Sequence, residues 1–210
     1  MPGVFIAFEG LDGSGKTTAL RSVASLLEAR GTPILTTREP GGTELGRRIR
    51  TLVLESTETV QPETELLLMC ADRSEHVRTL IRPALEKGFV VLTDRFAAST
   101  IVYQGFGRGL DTDDIAQVLA VATGGLQPDL TLLFDVSNEV AHQRRSSDTS
   151  NINHLDGLAA DVRTRMRDGY LHLSDTERNW TVIDASGSPD EVASLALQAI
   201  LSVIERMSAQ

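Results

Sequence analysis

The stretch "EGLDGSGKTT" (9–18) directly follows the apolar run "VFIAF" (4–8). Residues 10–17, Gly10-Leu11-Asp12-Gly13-Ser14-Gly15-Lys16-Thr17, fit the pattern G-x-x-x-x-G-K-[ST]. "VFIAFE" (4–9) reads as a strand and Lys16–Arg30 reads as a helix, which is the context the pattern needs. Its glycines let the backbone curl until N–H groups face inward, and the helix start adds partial positive charge. The spacing therefore predicts a cradle for the phosphates of a nucleoside triphosphate, completed by Thr18. Lys16 is expected to reach the β- and γ-phosphates, and the Thr17 hydroxyl to bind Mg²⁺. The bland alternative is a glycine-rich turn that binds nothing, and the flanking strand and helix argue against it.

Working outward, short β-rich runs alternate with longer helical ones. "PILTTR" (33–38), "FVVLTD" (89–94), "LTLLFDV" (130–136) and "TVID" (181–184) read as further strands. Several are apolar throughout, as expected of strands covered on both faces. Between them lie helical stretches over 44–54, 62–87, 97–103, 112–122, 138–145, 158–174 and 189–207, with Ser188 as a helix cap and Gly31 and Gly88 as stops. The alternation predicts a parallel five-stranded α/β sheet with helices on both faces, in one domain over 1–210. The polar stretch "SSDTSNIN" (146–153) reads as a loop with room to move.

Composition narrows the function. A net charge of −9 disfavours a nucleic-acid surface. No run approaches a membrane span, and the first residues lack the marks of a secretion signal. One cysteine, Cys70, cannot form an internal disulfide, which fits the reducing cytoplasm.

The next question is where the phosphate goes. The chain has no Asn-Lys pair with which a GTPase would read guanine. At the end of "VVLTD", Asp94 is followed by Arg95 rather than by the Glu a motor ATPase would use to polarise water. An arginine there cannot activate water, but it can hold a second phosphate. An anionic acceptor needs no strong base, so catalysis reduces to positioning and charge neutralisation. Three stretches supply an acceptor pocket. "TTREPGGT" (36–43) ends the second strand and carries Arg38 and Glu39. In "LLLMCADRSEH" (66–76), Met69 and Arg73 share a helix face, although a solvated charge is the commoner reading of an isolated helix arginine. In "DRFAASTIVYQG" (94–105), Thr100 and Gln104 share one face, with Ser99 and Tyr103 on another nearby.

These stretches, with "TREPGGTELGRRIRTLVLE", "ADRSEH", "YQGFGRG", "PDLTLLFDVS" and "DGYLHL", make the chain resemble the bacterial thymidylate kinases over nearly its whole length. The resemblance implies a phosphate-loop nucleotide kinase fold, with transfer from ATP to dTMP, Mg²⁺ and a homodimer. It implies that Asp12 accepts the sugar 3′-hydroxyl and that Arg38, Arg50 and Arg95 hold the acceptor phosphate. By the same carry-over Arg73 and Gln104 recognise thymine with Thr100 nearby, Tyr103 packs on the sugar, and Asp94 helps place Mg²⁺. Glu39 belongs to the same substrate-binding set.

Two departures stand out. Met69 occupies a position where relatives usually stack phenylalanine on the base; methionine keeps apolar contact but not the ring. The expected lid, about 146–156, carries no arginine, and "NHLD" (153–156) has His154 where relatives often have arginine. Arg144, Arg145 and Arg95 remain as candidates for the charge on the transferring phosphoryl, with Arg144 matching best. The rival expectations are a kinase of this fold with another acceptor, and a catalytically weak paralogue that binds nucleotides. His76, His142, His154 and His172 lack metal-ligand spacing.

Overall fold

The computed structural model describes residues 3–55, 60–147 and 159–209. The five strands are β1 (Val4–Glu9), β2 (Ile34–Arg38), β3 (Val90–Asp94), β4 (Leu130–Asp135) and β5 (Trp180–Asp184). They form one parallel sheet in the order β2-β3-β1-β4-β5. All six residues of central β1 are buried, which is why "VFIAFE" does not alternate. Val4, Ile6 and Phe8 pack on one face with Val23 of α1 (Lys16–Glu28) and Ile200 of α9 (Pro189–Ser208). Phe5 and Ala7 pack on the other with Val77, Ile81 and Phe96. Strand bounds agree with expectation to within a residue, and Ser188 and Glu191 cap α9 reciprocally. The expected lid over 146–156 falls almost wholly on 148–158, outside the described residues.

Three helices differ from their expected form because each carries a wide, π-type turn. The stretch 62–87 is divided into α3 (Pro62–His76), a wide turn (Val77–Ile81) and α4 (Arg82–Glu86). Pro83 has no N–H and its ring would clash with the carbonyl four residues back, so the turn before it opens. Likewise α2 (Glu44–Arg50) continues into a wide turn over Thr51–Glu55. The third case shapes the site. α5 (Ala97–Thr100) passes into a wide turn over Ile101–Gly107, and Val102, Tyr103, Gln104 and Gly105 are buried in succession. An amphipathic α-helix on a surface would expose at least one of the four. The remaining helices are α6 (Thr112–Thr123), α7 (Asn138–Ser147) and α8 (Ala160–Thr176).

The loop from β2 to α2 is tied down by α3. Glu39 takes Arg73 Nε at 2.7 Å and His76 Nδ1 at 2.8 Å. His76 Nε2 lies 2.7 Å from Thr37 Oγ1, so this fully buried histidine is a structural brace. Asp72 Oδ1 accepts from the Gly41 N–H at 3.1 Å, while its Oδ2 is buried without a hydrogen bond. Burial, aided by the nearby Glu39 charge, pushes the Asp72 carboxyl up to about 6.

The folded protein therefore holds this proton at a pH where the unfolded chain has released it. Ionising Asp72 destabilises the fold as pH rises from about 4 to about 6, and the deficit persists above that. Asp72→Asn keeps an oxygen for the Gly41 N–H and removes the charge. Thermal unfolding should show it more stable than the parent at pH 7.5, by on the order of ~2 kcal/mol, and converging with it near pH 4. A variant less stable than the parent at pH 7.5 would contradict this reading.

Candidate active site: a phosphate cleft joined to a small pocket

The turn after β1 sets the site. Gly13 has φ 85°, and a Cβ there would lie 2.1 Å from the Ala141 carbonyl oxygen, so no other residue fits without backbone movement. The turn delivers Lys16 to the first residue of α1, where Nζ reaches the Leu11 carbonyl at 3.3 Å and Asp12 Oδ1 at 3.5 Å. Of the loop, Asp12, Gly13, Gly15, Lys16, Thr17 and Thr18 line a cleft of about 760 Å³. Gly10, Leu11 and Ser14 lie behind it, and the Ser14 N–H is turned onto the Leu11 carbonyl at 3.1 Å.

The opposite walls bring in most of the remaining expected residues. Arg38, Glu39 and Arg50 come from the β2–α2 region, Asp94 and Arg95 from the end of β3, and Arg144 and Arg145 from α7. Arg50 Nη1 donates to the Pro40 carbonyl at 3.2 Å. The Thr17 hydroxyl donates to Asp94 Oδ2, and Asp94 Oδ1 is buried without a hydrogen-bond partner. Arg144 donates to the carbonyls of Ala185 (2.9 Å) and Ser186 (3.4 Å), which fixes it to the turn after β5.

Arg95 is the junction. It adopts φ 74°, rare for a residue with a side chain, and its N–H is held by the Phe8 carbonyl at 2.9 Å. Its guanidinium donates to Asp12 (2.7 Å), Ser99 Oγ (2.9 Å), Tyr103 OH (2.9 Å) and Tyr170 OH (3.1 Å). Behind it Glu9, fully buried, takes the backbone N–H groups of Phe96 and Ser99 and the hydroxyls of Ser99 and Tyr170. Burial raises the Glu9 carboxyl, with Arg95 opposing. For Asp12, burial works upward but the charges of Arg95 and Lys16 outweigh it and hold the carboxyl below the usual range. Burial and the neighbouring Arg95 together lower the Lys16 ammonium. Lys16 is thus a crowded, desolvated cation facing the cleft, whereas the acceptors around Arg95 hold its guanidinium firmly charged.

Beyond Arg95 and Asp12 opens a second pocket of about 100 Å³. α5 contributes Ser99 and Thr100 to it and the wide turn Tyr103 and Gln104, and Met69 of α3 completes the apolar wall. Arg73 borders neither cavity. It is buried behind the wall, spending its donors on Glu39, Thr100 Oγ1 (2.9 Å) and the Phe96 carbonyl (2.9 Å), and it lies over the Phe96 ring. Glu39, by contrast, lines both cavities, with its two carboxylate oxygens engaged by Arg73 and His76.

Sequence reasoning missed Glu9, Ser99 and Tyr170 as the scaffold of Arg95. The available signal was a carboxylate ending an otherwise apolar strand. Tyr170, 161 residues away, lies in the quoted stretch "DGYLHL", but nothing in that stretch points to Arg95.

The model of the thymidylate kinase family matches residues 8–196. A thymidylate kinase from Nitratidesulfovibrio vulgaris is 43% identical over 209 residues, covering 96% of this chain and 97% of the relative. One from Synechococcus sp. strain RCC307 is 46% identical over 199 residues, covering 91% and 92%. The crystal structure of the thymidylate kinase from Ehrlichia chaffeensis superposes with a TM-score of 0.77 at 30% identity, covering 95% of this chain and 99% of that one. With the phosphate cleft and its neighbouring pocket built on the same sheet, the chain belongs to the thymidylate kinase family.

Proposed function

We propose that this chain transfers the γ-phosphate of ATP to dTMP, giving ADP and dTDP. The observation that carries the reading is that the phosphate cleft and the small pocket meet at Asp12, Glu39, Arg50 and Arg95, which line both. A donor triphosphate on the loop and an acceptor in the pocket would bring their phosphates together there. The acceptor phosphate oxygen is already nucleophilic, so the residues act by position and charge. In this reading Lys16 neutralises the β- and γ-phosphates, and Arg38, Arg50 and Arg95 hold the acceptor phosphate. When a nucleotide enters, Arg95 exchanges Asp12 for phosphate, and Asp12 is released to accept the sugar hydroxyl. Arg144, held beside Gly15 by the turn after β5, adds charge on the donor side.

The Thr17 hydroxyl and the Asp94 carboxylate, with its unpartnered buried oxygen, fit Mg²⁺ and would hold it. Bound there, the ion would supply charge stabilisation on the β- and γ-phosphate oxygens. Exposed Leu45, Leu52 and Leu67, on or beside α2 and α3, offer apolar surface for a homodimer. No helix among the described residues is long and apolar enough to cross a membrane, which accords with a cytoplasmic enzyme acting on small molecules. Met69 favours one rival, a kinase of this fold with a different acceptor.

ADP formation from Mg-ATP, measured against dTMP, dUMP, dCMP, dGMP and AMP beside a no-acceptor control, tests the reading. Turnover should be fastest with dTMP and at background without acceptor. Preference for another nucleotide would move the assignment within the fold, and silence with all five despite ATP binding would overturn it. Met69→Phe should lower the dTMP KM several-fold, by adding an aromatic face for the base, and leave the ATP KM unchanged. An unaltered dTMP KM would mean that residue 69 does not face the base.

A further inference from the structure

Glu65, in the first turn of α3, is 1% exposed. A carboxylate so buried needs partners, and it has them on the wide turn and just beyond. Its Oε1 takes Gln104 Nε2 at 2.7 Å and its Oε2 takes Arg108 Nη2 at 2.9 Å. Arg108 lies in the glycine-flanked stretch "GFGRG" (105–109), to which neither the phosphate loop nor the acceptor arginines give a task.

The pairing dictates an orientation. A carboxylate only accepts, so Gln104 must turn its NH₂ toward Glu65 and its carbonyl oxygen away. That oxygen makes no hydrogen bond with a described residue, yet it is not sealed from solvent. Gln104 and Glu65 both line the small pocket. Thymine and uracil carry an N–H at ring position 3, whereas cytosine carries a lone pair there. A fixed carbonyl accepts from the first two and repels the third.

We propose that Glu65, steadied by Arg108, is a positioning residue that locks the Gln104 amide with its carbonyl toward the base, so that the site selects 4-oxo over 4-amino pyrimidine nucleotides. The proposal rests on the thymidylate reading of the pocket and deepens it. The amide's two ends are nearly isosteric, so without the lock a half-turn of the side chain would present a donor instead. Selectivity from a polar group depends on its having no such escape.

Glu65→Gln tests the lock at nearly constant volume. Arg108 only donates, so it claims the new amide's oxygen and turns the new NH₂ onto Gln104. The Gln104 amide then reverses and offers its own NH₂ to the base. The ratio of kcat/KM for dTMP over dCMP should fall at least ~10-fold, with the two KM values moving in opposite directions. The dTMP over dUMP ratio and the ATP KM should stay within about twofold, because both bases carry the same N–H. Equal losses on dTMP and dCMP, with their ratio unchanged, would overturn the proposal and mark Glu65 as merely structural. If that variant does not fold, Arg108→Met decides: its side chain is 27% exposed, and it should shift the ratio in the same direction by a smaller factor. An unchanged ratio there would equally overturn the lock. An unmodified enzyme inactive on dTMP would instead refute the thymidylate reading itself.

Discussion

The junction between the phosphate cleft and the small pocket hangs on one buried carboxylate. Glu9 is the last residue of the central strand and is wholly shielded from water. Charge in such a place is tolerated only with dense hydrogen bonding, and Glu9 has four donors within 3.3 Å. Two come from the backbone where β3 turns into α5, one from Ser99 and one from Tyr170 of α8. The same contacts draw α8 against the sheet and hold Arg95 in its strained conformation.

From that anchor the site reads as three shells of charge. Glu9 is innermost, Arg95 lies over it, and Asp12 faces Arg95 across the cleft at 2.7 Å. Lys16 approaches Asp12 from the phosphate loop at 3.5 Å. Asp12 thus stands between two cations, Arg95 and Lys16. The Asp12 carboxylate holds the Arg95 guanidinium in place at the mouth of the small pocket. Tyr103 and Tyr170, raised above the ordinary phenol range first by burial, remain donors or neutral walls throughout.

Much of this was legible beforehand, for local reasons. An apolar strand, a glycine-rich turn and a helix start occupy consecutive residues, so β1, the phosphate loop and α1 could be read without tertiary knowledge. The cap at Ser188 and the stop at Gly31, which has φ 76°, are likewise local. What escaped was set by distance or by helix geometry. Glu9 and Tyr170 meet across 161 residues, and Glu65 meets Arg108 across 43. The wide turn over Ile101–Gly107 breaks the ordinary helical period, and so buries Val102, Tyr103, Gln104 and Gly105 in succession. Arg73 shows the opposite limit. Its spacing from Met69 was read correctly, but it stands behind the pocket wall, because Glu39 and Thr100 claim its donors first.

The central claim is that Glu9, by fixing Ser99, Tyr170 and hence Arg95, prepares the acceptor side without touching ATP. Steady-state kinetics of Glu9→Gln measure this most directly, since an amide nitrogen cannot accept the hydrogen bonds that a carboxylate oxygen does. The account predicts that kcat/KM for dTMP falls roughly 10- to 100-fold while ATP affinity is retained. A variant with unaltered dTMP kinetics, or one that loses ATP and dTMP binding in equal measure, would contradict it.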